Sequence, residues 1–307
     1  MNILVSGISG FIGANWKKYA ESVKPEWEIK PFNRKIIDNP LLITNEFDKI
    51  NVFIHLAGKA HDLRNLASED EYYKANTDLT KLMFDAFLKS EAKVFIMFSS
   101  VKAAADKVDG VLSEDYPADP RTPYGKSKLM AEKYIQNLKL KGFKRIYIVR
   151  PCMIHGPGNK GNLNLLFNIV SKGLPWPLGR YENKRSFCSI DNLCFIINEL
   201  IENDQIPSGI YNIADDVPLS TNELINLISE SQNKNPHIWN APKFLINTFA
   251  KIGDILKLPL NSERLVKLTE SYIVSNCKIK NAINKPLPLS SREGLNKTLN
   301  SFKIDAQ

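Results

Sequence analysis

The sequence lacks the marks of membrane, secreted and metal-binding proteins. No stretch approaches the roughly 20 uncharged apolar residues that a membrane-spanning helix requires. No basic region precedes an apolar stretch at the N-terminus, so we expect no signal peptide and a cytoplasmic location. The four cysteines form no Cys-x-x-Cys pair and no metal-ligand spacing, which predicts reduced thiols and no metal site.

A dense run of basic residues is also missing, although 41 Lys and Arg against 33 Asp and Glu give a formal net charge of +8. Nucleic-acid-binding proteins concentrate their basic residues in a patch or stripe, so we expect no nucleic-acid partner. A substrate that carries phosphate needs only a few local cations and is compatible with this charge. The 307 residues, 43% of them hydrophobic, suffice for one large domain or two cooperating lobes.

A glycine-rich turn follows the first predicted strand. The strand covers Asn2–Ser6, and a helical stretch continues from the turn to about Ser22. Glycines here permit a tight turn and the close approach of a pyrophosphate, and the helix N-terminus attracts the anion. The spacing is Gly-x-x-Gly-x-x-Gly rather than the Gly-x-Gly-x-x-Gly of the commonest dehydrogenases, and a plain glycine turn is the alternative. The cofactor-binding residues predicted in this turn are Gly7, Ser9, Gly10, Phe11, Ile12 and Gly13.

The second predicted strand, Glu28–Phe32, ends at Asn33 and Arg34, which we also assign to the cofactor site. An acidic residue at this point binds a ribose 2′-hydroxyl, whereas an arginine accommodates a 2′-phosphate. Arg34 therefore favours NADP over NAD, and a solvated surface arginine is the alternative interpretation. The predicted cofactor is NADP or NAD, with NADP preferred.

Further apolar strands alternate with helices along the first half of the chain. They are predicted at Val52–Leu56, Lys93–Phe98 and Arg145–Val149. This alternation predicts an α/β fold, a Rossmann doubly wound parallel sheet. We expect residues 1–152 to form the dinucleotide-binding domain, with a return segment near 186–215. Residues 153–307 are expected to form mainly a smaller C-terminal substrate-binding lobe.

Small residues or serines stand where two of these strands end. Leu56-Ala57-Gly58 follows one strand and allows a ligand to approach the backbone, while Ser99-Ser100 follows the next. Open α/β sheets bind their ligands at this carboxyl edge. His55, inside an apolar run, is interpreted as a core histidine. A capping box at Ser68 and Glu71 predicts the start of a long helix.

A later segment, Lys243–Leu258, has the pattern of an amphipathic helix with some basic residues. Such a helix could contact a membrane or a partner. We prefer a helix that faces the protein core, which is the commoner use of this pattern.

Tyr124 and Lys128 stand four residues apart where a helix, Lys126–Lys141, is predicted. Residues at i and i+4 are neighbours on a helix, so the ammonium group is expected to lower the pKa of the phenol. A tyrosine of this kind can exchange a proton with a carbinol or carbonyl oxygen. Chance alone would supply about one Tyr-x-x-x-Lys in a chain of this composition, so the pair indicates a catalytic site only together with other motifs of the chain.

Those other motifs give the chain a resemblance to the extended short-chain dehydrogenase/reductase family, the NAD-dependent epimerases and dehydratases. The resemblance covers nearly the whole chain. Its motifs are the glycine turn, His55-Leu56-Ala57-Gly58, Asn76, Phe98-Ser99-Ser100, Tyr124-Gly125-Lys126-Ser127-Lys128, and Arg150-Pro151 with Gly156-Pro157-Gly158.

The resemblance implies a role for each matching residue. Tyr124 is the acid/base, Lys128 lowers its pKa and binds the nicotinamide ribose, and Ser100, preferred to Ser99, holds the substrate oxygen. Asn76 has a supporting role in the cofactor site. Arg185 and Arg264 bind the diphosphate of the substrate. By this resemblance the cofactor site also includes Leu56, Ala57, Gly58, Tyr124 and Lys128.

Two features narrow the activity that the resemblance implies. The acidic pair that 4,6-dehydratases carry after the serine is replaced by Val101-Lys102, which argues against water elimination. The segment Gly173–Gly179 and Arg185-Ser186 look most like the branch that acts on UDP-N-acetylhexosamines. The expected activity is NAD(P)-dependent reduction at C4 of a nucleotide-linked 4-keto-6-deoxy-N-acetylhexosamine, for surface polysaccharide.

Two alternatives stay open beside this expectation. One is a UDP-hexose or UDP-N-acetylhexosamine 4-epimerase with tightly bound NAD, which uses the same residues. The other is a non-catalytic, nucleotide-sensing member of the fold, because fold does not fix function. By analogy with the family, a homodimer through the predicted helices at 68–90 and 124–141 is a further expectation.

Overall fold

The computed structural model describes residues 1–59, 68–138, 143–159, 161–256 and 261–304. Its strands are β1 (Asn2–Ser6), β2 (Glu28–Pro31), β3 (Val52–His55), β4 (Val94–Phe98), β5 (Val111–Leu112), β6 (Arg145–Pro151), β7 (Met153–His155), β8 (Phe187–Ser189), β9 (Gly209–Ile213) and β10 (Ile273–Val274). Six of them form one parallel sheet in the order β2-β1-β3-β4-β6-β9. The predicted Rossmann-like α/β fold is confirmed.

Helices connect these strands and cover both faces of the sheet. They are α1 (Phe11–Val23), α2 (Pro40–Phe47), α3 (Glu69–Tyr72), α4 (Leu79–Lys89), α5 (Pro123–Asn137), α6 (Asn162–Ser171), α7 (Ile190–Glu202), α8 (Thr221–Ser231), α9 (Lys243–Leu256), α10 (Ser262–Thr269), α11 (Cys277–Ile283) and α12 (Ser291–Ile304). Short 3₁₀ turns cover Arg34–Ile36 and Val101–Ala103, and a π-helical segment, Tyr73–Asp78, joins α3 to α4.

The strand order places a crevice at the end of β1. The chain leaves β1 for β2 on one side, and the later strands β3, β4, β6 and β9 follow on the other. Connections that diverge in this way open a cleft at the carboxyl ends of the strands, where doubly wound proteins bind ligands. The glycine turn after β1 and the Leu56-Ala57-Gly58 segment after β3 border this cleft.

Alternate side chains of each strand point to opposite faces and build two cores. Ile3 and Val5 of β1 lie in the core beneath α1 and α7, whereas Leu4 lies in the opposite core with α2 and α4. A hydrogen bond of 2.9 Å from Trp16 Nε1 to Asn198 Oδ1 ties α1 to α7 inside the first core. The period of two along the strand therefore determines which helix each residue contacts.

The C-terminal half contributes a third core and part of the sheet. Side chains of α6, α8, α9, α10 and α12 form this separate cluster. Two small parallel pairs, β7 with β8 and β5 with β10, lie outside the main sheet, while β9 extends the main sheet beside β6. No helix among the described ranges is both long and apolar enough to cross a bilayer.

The preferred interpretation of the 243–258 segment holds for only part of it. Helix α9 buries Ile246, Ala250 and Gly253, but most of its large apolar side chains are exposed. The core contact therefore uses a narrow side of the helix. The end of the segment, residues 257–258, lies outside the described residues.

Candidate active site

Gly7 turns the chain away from β1 at a point that only glycine fits. Its φ of +77° is in the left-handed region, and a Cβ placed on it would lie 2.8 Å from Ala57 N. A side chain would thus collide with the backbone at the end of β3. The contact holds the first loop and the third strand together at the floor of the cleft.

Gly10 and Gly13 shape the start of α1. A Cβ on Gly13 would lie 2.5 Å from Ile8 Cα and 2.6 Å from Gly7 O, so the helix packs directly on the turn. Gly10 is the N-cap and supplies no side-chain hydrogen bond, and the first turn of α1 contains no acidic residue. The helix N-terminus, with Phe11, Ile12 and exposed Ser9 around it, therefore presents N–H groups to an anion.

His55 is a core residue, as its sequence context indicates. It is 1% exposed, and its ring nitrogens bond Ser6 Oγ at 2.7 Å and Thr80 Oγ1 at 3.0 Å. Ser6 Oγ in turn accepts a 3.2 Å hydrogen bond from Ala57 N. These bonds fix the Leu56-Ala57-Gly58 segment in place above the sheet.

Asn76 joins this segment to the helix that carries Tyr124. Its Oδ1 accepts a 2.8 Å hydrogen bond from Lys59 N, and its Nδ2 donates to Ser127 Oγ at 3.0 Å. A Cβ on Gly58 would lie 2.6 Å from Asn76 Oδ1 and 3.1 Å from Lys128 Nζ. Gly58, Asn76 and Lys128 thus meet at one point, although they come from three separate parts of the chain.

Helix α5 begins earlier than its sequence pattern indicates. Thr122 caps it by accepting a 3.2 Å hydrogen bond from Gly125 N, and Pro123 occupies the first turn. A Cβ on Gly125 would overlap the Lys102 carbonyl oxygen, so the helix packs tightly on the Val101–Ala103 turn. This contact brings Tyr124 beside Ser100, whose side chain hydrogen-bonds it.

The electrostatics of Tyr124 and Lys128 differ from the expectation. Burial raises the pKa of Tyr124, and the Ser100 hydrogen bond opposes the rise only in part. Burial lowers the pKa of Lys128 to about 8, against the opposing effect of Glu132. The expected lowering of the tyrosine pKa is therefore wrong for this structure, because desolvation of the phenolate is the largest effect on that pKa. The Lys128 ammonium instead donates to Phe98 O at 2.9 Å.

Beneath Lys128 lies an acidic residue that sequence reasoning missed. Glu132 is 0% exposed, accepts two hydrogen bonds from Arg150, and accepts a third from Ser99 Oγ. Ser99 therefore faces the interior while Ser100 faces Tyr124, in keeping with the preference for Ser100. The signal was available, since Tyr124, Lys128 and Glu132 follow one another at intervals of four residues.

Tyr72 is a second residue that the sequence did not single out. Its ring centroid lies 6.1 Å from that of Tyr124 and 5.8 Å from Lys59 Nζ. Tyr72 is buried and is the last residue of α3. It forms one wall of the space beside the Tyr124 ring.

The arginines predicted for the site lie in two separate places, Arg34 after β2 and Arg185 and Arg264 at α10. Asn33 and Arg34 are exposed at the carboxyl end of β2, beside the glycine turn, and Asn33 caps the short 3₁₀ turn. Arg185 Nε donates to Glu270 O at 3.2 Å, and its Nη2 donates to Lys267 O. Arg264 is exposed on α10, the helix whose C-terminal end Arg185 contacts.

The described residues fit a dinucleotide and offer no metal cluster. The glycines let the turn pack closely on the start of α1, whose N–H groups can receive a pyrophosphate, and Gly58 lets the end of β3 pack against Asn76 and Lys128. In the ranges that the structure describes, no group of three or more His, Cys, Asp and Glu side chains could hold a metal ion. The fold and the site together define a dinucleotide-dependent enzyme of the Tyr-Lys type.

The chain belongs to the NAD dependent epimerase/dehydratase family, whose model matches residues 3–214. It is similar to a UDP-glucose 4-epimerase of Vibrio cholerae, with 28% identity over 98% of this chain and 95% of that protein. It is also similar to the N-acetyl-alpha-D-glucosaminyl-diphospho-ditrans,octacis-undecaprenol 4-epimerase of Escherichia coli O157:H7, with 24% identity over 91% and 84% of the two chains. The predicted family and the prediction of an NAD(P)-dependent enzyme are confirmed.

Solved structures share the fold across the whole chain. MoeE5 in complex with UDP-glucose and NAD has a TM-score of 0.76 at 17% identity, covering 100% of both chains. RMD from Pseudomonas aeruginosa complexed with NADPH has a TM-score of 0.73 at 18% identity, covering 99% of both. At this level of identity the likeness establishes the fold.

Proposed function

We propose that the protein reduces the C4 ketone of a nucleotide-linked 4-keto-6-deoxy-N-acetylhexosamine for surface polysaccharide. The observation that carries the proposal is the placement of Tyr124, which is hydrogen-bonded to Ser100 and lies on the helix that brings Lys128 against Gly58. A phenol in this position can deliver its proton to the oxygen of a ketone that is being reduced.

The residues of the site then have the following roles. A dinucleotide held by the glycine turn and Lys128 would supply the hydride for the sugar C4. Ser100 donates a hydrogen bond to the C4 oxygen and stabilises the developing alkoxide. Tyr124 delivers its proton to that oxygen and is reprotonated from solvent, and Lys128, beside Gly58, binds the nicotinamide ribose. The products are the C4 alcohol and the oxidised cofactor.

The relatives support chemistry at C4. The Vibrio and Escherichia proteins are 4-epimerases, and a third relative is the GDP-6-deoxy-D-talose 4-dehydrogenase of Aggregatibacter actinomycetemcomitans, 28% identical over 75% of this chain and 80% of that protein. Their named substrates are sugars on a diphosphate. We assign the diphosphate of the substrate to Arg185 and Arg264, since guanidinium groups bind phosphate oxygens in pairs.

A 4-epimerase is the second candidate, because the Vibrio and Escherichia relatives, each matched over more than 90% of this chain, are 4-epimerases. That reaction would use the same tyrosine first as a base and then as an acid, with NAD retained. The exposed Arg34 favours the reductase, since a 2′-phosphate partner would select NADPH. The homodimer and the division near residue 152 stay predictions.

The test mixes the purified protein with NADPH or NADH and UDP-4-keto-6-deoxy-N-acetylglucosamine and follows the nicotinamide absorbance. We expect rapid consumption, lost by at least about a hundredfold in Tyr124→Phe because the proton donor is removed. Tyr134→Phe is the matched control: its hydroxyl, on the same helix, donates to Asp85 Oδ1 at 2.7 Å, away from the site.

Two other results would overturn the proposal. Interconversion of UDP-N-acetylglucosamine and UDP-N-acetylgalactosamine without added cofactor, and no ketone reduction, would establish the epimerase. Cofactor binding measured by nicotinamide fluorescence, with neither reaction, would establish a nucleotide-sensing protein.

A further inference from the structure

Helix α9 exposes far more apolar surface than it buries. Its large apolar side chains include Ile255, Phe244 and Phe249, which are 80%, 67% and 62% exposed. Three further exposed members of the same helix are Leu245, Ile252 and Leu256. Exposed apolar patches of this kind on a protein mark contact sites for proteins or membranes.

The exposed residues form one continuous stripe. At about 100° per residue, the six side chains fall within an arc of roughly 140° around the helix axis. The buried Ile246, Ala250 and Gly253 occupy the adjoining, narrower arc against the core. The neighbouring helix α10 packs beside α9. We call the six exposed apolar side chains of α9, with α10 beside them, the α9–α10 apolar surface.

Basic residues exceed acidic residues on the two helices of this surface. Helices α9 and α10 carry Lys243, Lys251 and Lys267 against Asp254 and Glu263, and Arg264, which we assign to the substrate diphosphate, adds a further positive charge. Glu263 pairs with Lys267 at 2.6 Å, and Asp254 accepts hydrogen bonds from Ser262. The two helices therefore have a net positive charge, in a chain whose formal net charge is +8.

We propose that the α9–α10 apolar surface lies on an anionic lipid membrane. Phenylalanine, leucine and isoleucine on one side and lysine on the polar side are the composition of helices that lie in the membrane interface. The positive charge complements anionic headgroups, whereas a second copy of the chain would bring two positive surfaces together. The 14 residues of α9 are too few to span a bilayer, so the helix lies along it.

The surface is connected to the candidate substrate side of the protein. Arg185 donates to the carbonyls of Lys267 and Glu270 at the end of α10. Tyr272, just beyond, donates its hydroxyl to Ala105 O at 2.7 Å in the segment that follows Ser100. A membrane against α9 and α10 would thus lie beside the lobe assigned to the substrate rather than beside the dinucleotide cleft. The proposal itself does not rest on the proposed function.

The test is co-sedimentation of the full chain with vesicles of phosphatidylcholine and phosphatidylglycerol in equal parts. We expect binding at low salt that weakens as salt is raised, because part of the attraction is electrostatic. The double variant Phe249→Ser, Ile255→Ser should bind about tenfold or more weakly, since two apolar side chains no longer leave water. Its thermal unfolding midpoint should equal that of the wild type, because both side chains are exposed.

A matched control separates this surface from apolar exposure in general. Phe143 is 101% exposed and lies in the loop that leads into β6, so Phe143→Ser removes an equally exposed ring elsewhere. This variant should bind vesicles as the wild type does.

Three results would overturn the proposal. The wild type would fail to sediment with the vesicles at low salt, or the double variant would bind as tightly as the wild type. In the third, sedimentation velocity would show a dimer that the double variant splits, without vesicle binding, and the occupant would then be a second copy of the chain.

Discussion

Arg150 and Glu132 form a bidentate ion pair in the interior, with Nε to Oε1 at 2.9 Å and Nη2 to Oε2 at 2.5 Å. Both side chains are almost wholly buried, at 4% and 0% exposure. Glu132 lies one turn beyond Lys128 on α5 and opposes the lowering of the lysine pKa by burial. The pair therefore lies beneath the candidate site and influences the charge of Lys128.

Glu132→Gln should destabilise the protein by about 3–5 kcal/mol, because the Arg150 charge is left without a counter-charge in a dry interior. The free energy of unfolding from urea titration measures this loss. Glu230→Gln is the matched control, since Glu230 pairs with Arg292 at 2.7 Å on the surface, where the pair contributes less than about 1 kcal/mol. Equal losses of unfolding free energy in the two variants would show that the buried pair stabilises the protein no more than the surface pair.

Gly13→Ala should abolish cofactor binding, because the new Cβ meets backbone atoms of Ile8 and Gly7 and must displace the turn. Nicotinamide fluorescence on titration with NADPH and NADH measures the binding. Gly161→Ala serves as the control, since the nearest atom to its Cβ would be 3.6 Å away. Unchanged affinity in Gly13→Ala would remove the glycine turn from the cofactor site.

Stability should fall below neutral pH because of His55. Burial, aided by the charge of Lys128, lowers its pKa to about 3 from an ordinary value of 6.5. Between pH 6.5 and pH 3 the His55 imidazole is protonated in the unfolded chain but neutral in the folded protein. The contribution of neutral His55 is therefore complete above pH 6.5 and is lost as the pH falls toward 3. Between pH 6.5 and pH 5 the loss is about 2 kcal/mol.

Urea titrations at pH 7 and pH 5 measure this loss. His55→Asn should flatten the dependence, whereas His237→Asn, at an exposed position, should keep it. A slope that survives in His55→Asn would assign the dependence to other groups.

Arg34→Ser should lower the ratio of NADPH to NADH affinity by about tenfold or more, because a charged hydrogen bond to a 2′-phosphate is lost. Dissociation constants for the two cofactors give the ratio. Lys35→Ser, at the next exposed position, is the control and should leave the ratio nearer to that of the wild type. An unchanged ratio in Arg34→Ser would make Arg34 a solvated surface residue.

Most of the central sheet could be predicted because β1, β3, β4 and β6 are short apolar runs that are almost wholly buried. All five residues of β4 are buried, for example, and the run is legible in the sequence. The glycine turn could also be predicted, since its spacing after β1 is visible in the sequence and Gly13 meets backbone atoms of Ile8 and Gly7 close to it in the chain. The contact of Gly7 with Ala57, by contrast, appears only in the fold.

Features that depend on distant partners were not predictable in the same way. Strand β5 pairs with β10 through Val111 and Ile273, and nothing in the sequence of either strand indicates its partner. The raised pKa of Tyr124 depends on how deeply the fold buries it, and the pattern gave only its lysine neighbour. For α9, the pattern indicates an apolar side but cannot tell how much of that side the core covers.

The π-helical segment Tyr73–Asp78 makes the helix around Asn76 wider by one residue per turn than an α-helix. This change of phase allows Tyr72 before it to face Tyr124, while Thr80 after it bonds His55. Deleting a single residue here would restore regular helix and rotate one of these side chains away from its partner. The number of residues in this segment therefore constrains the site as strictly as the identity of any residue in it.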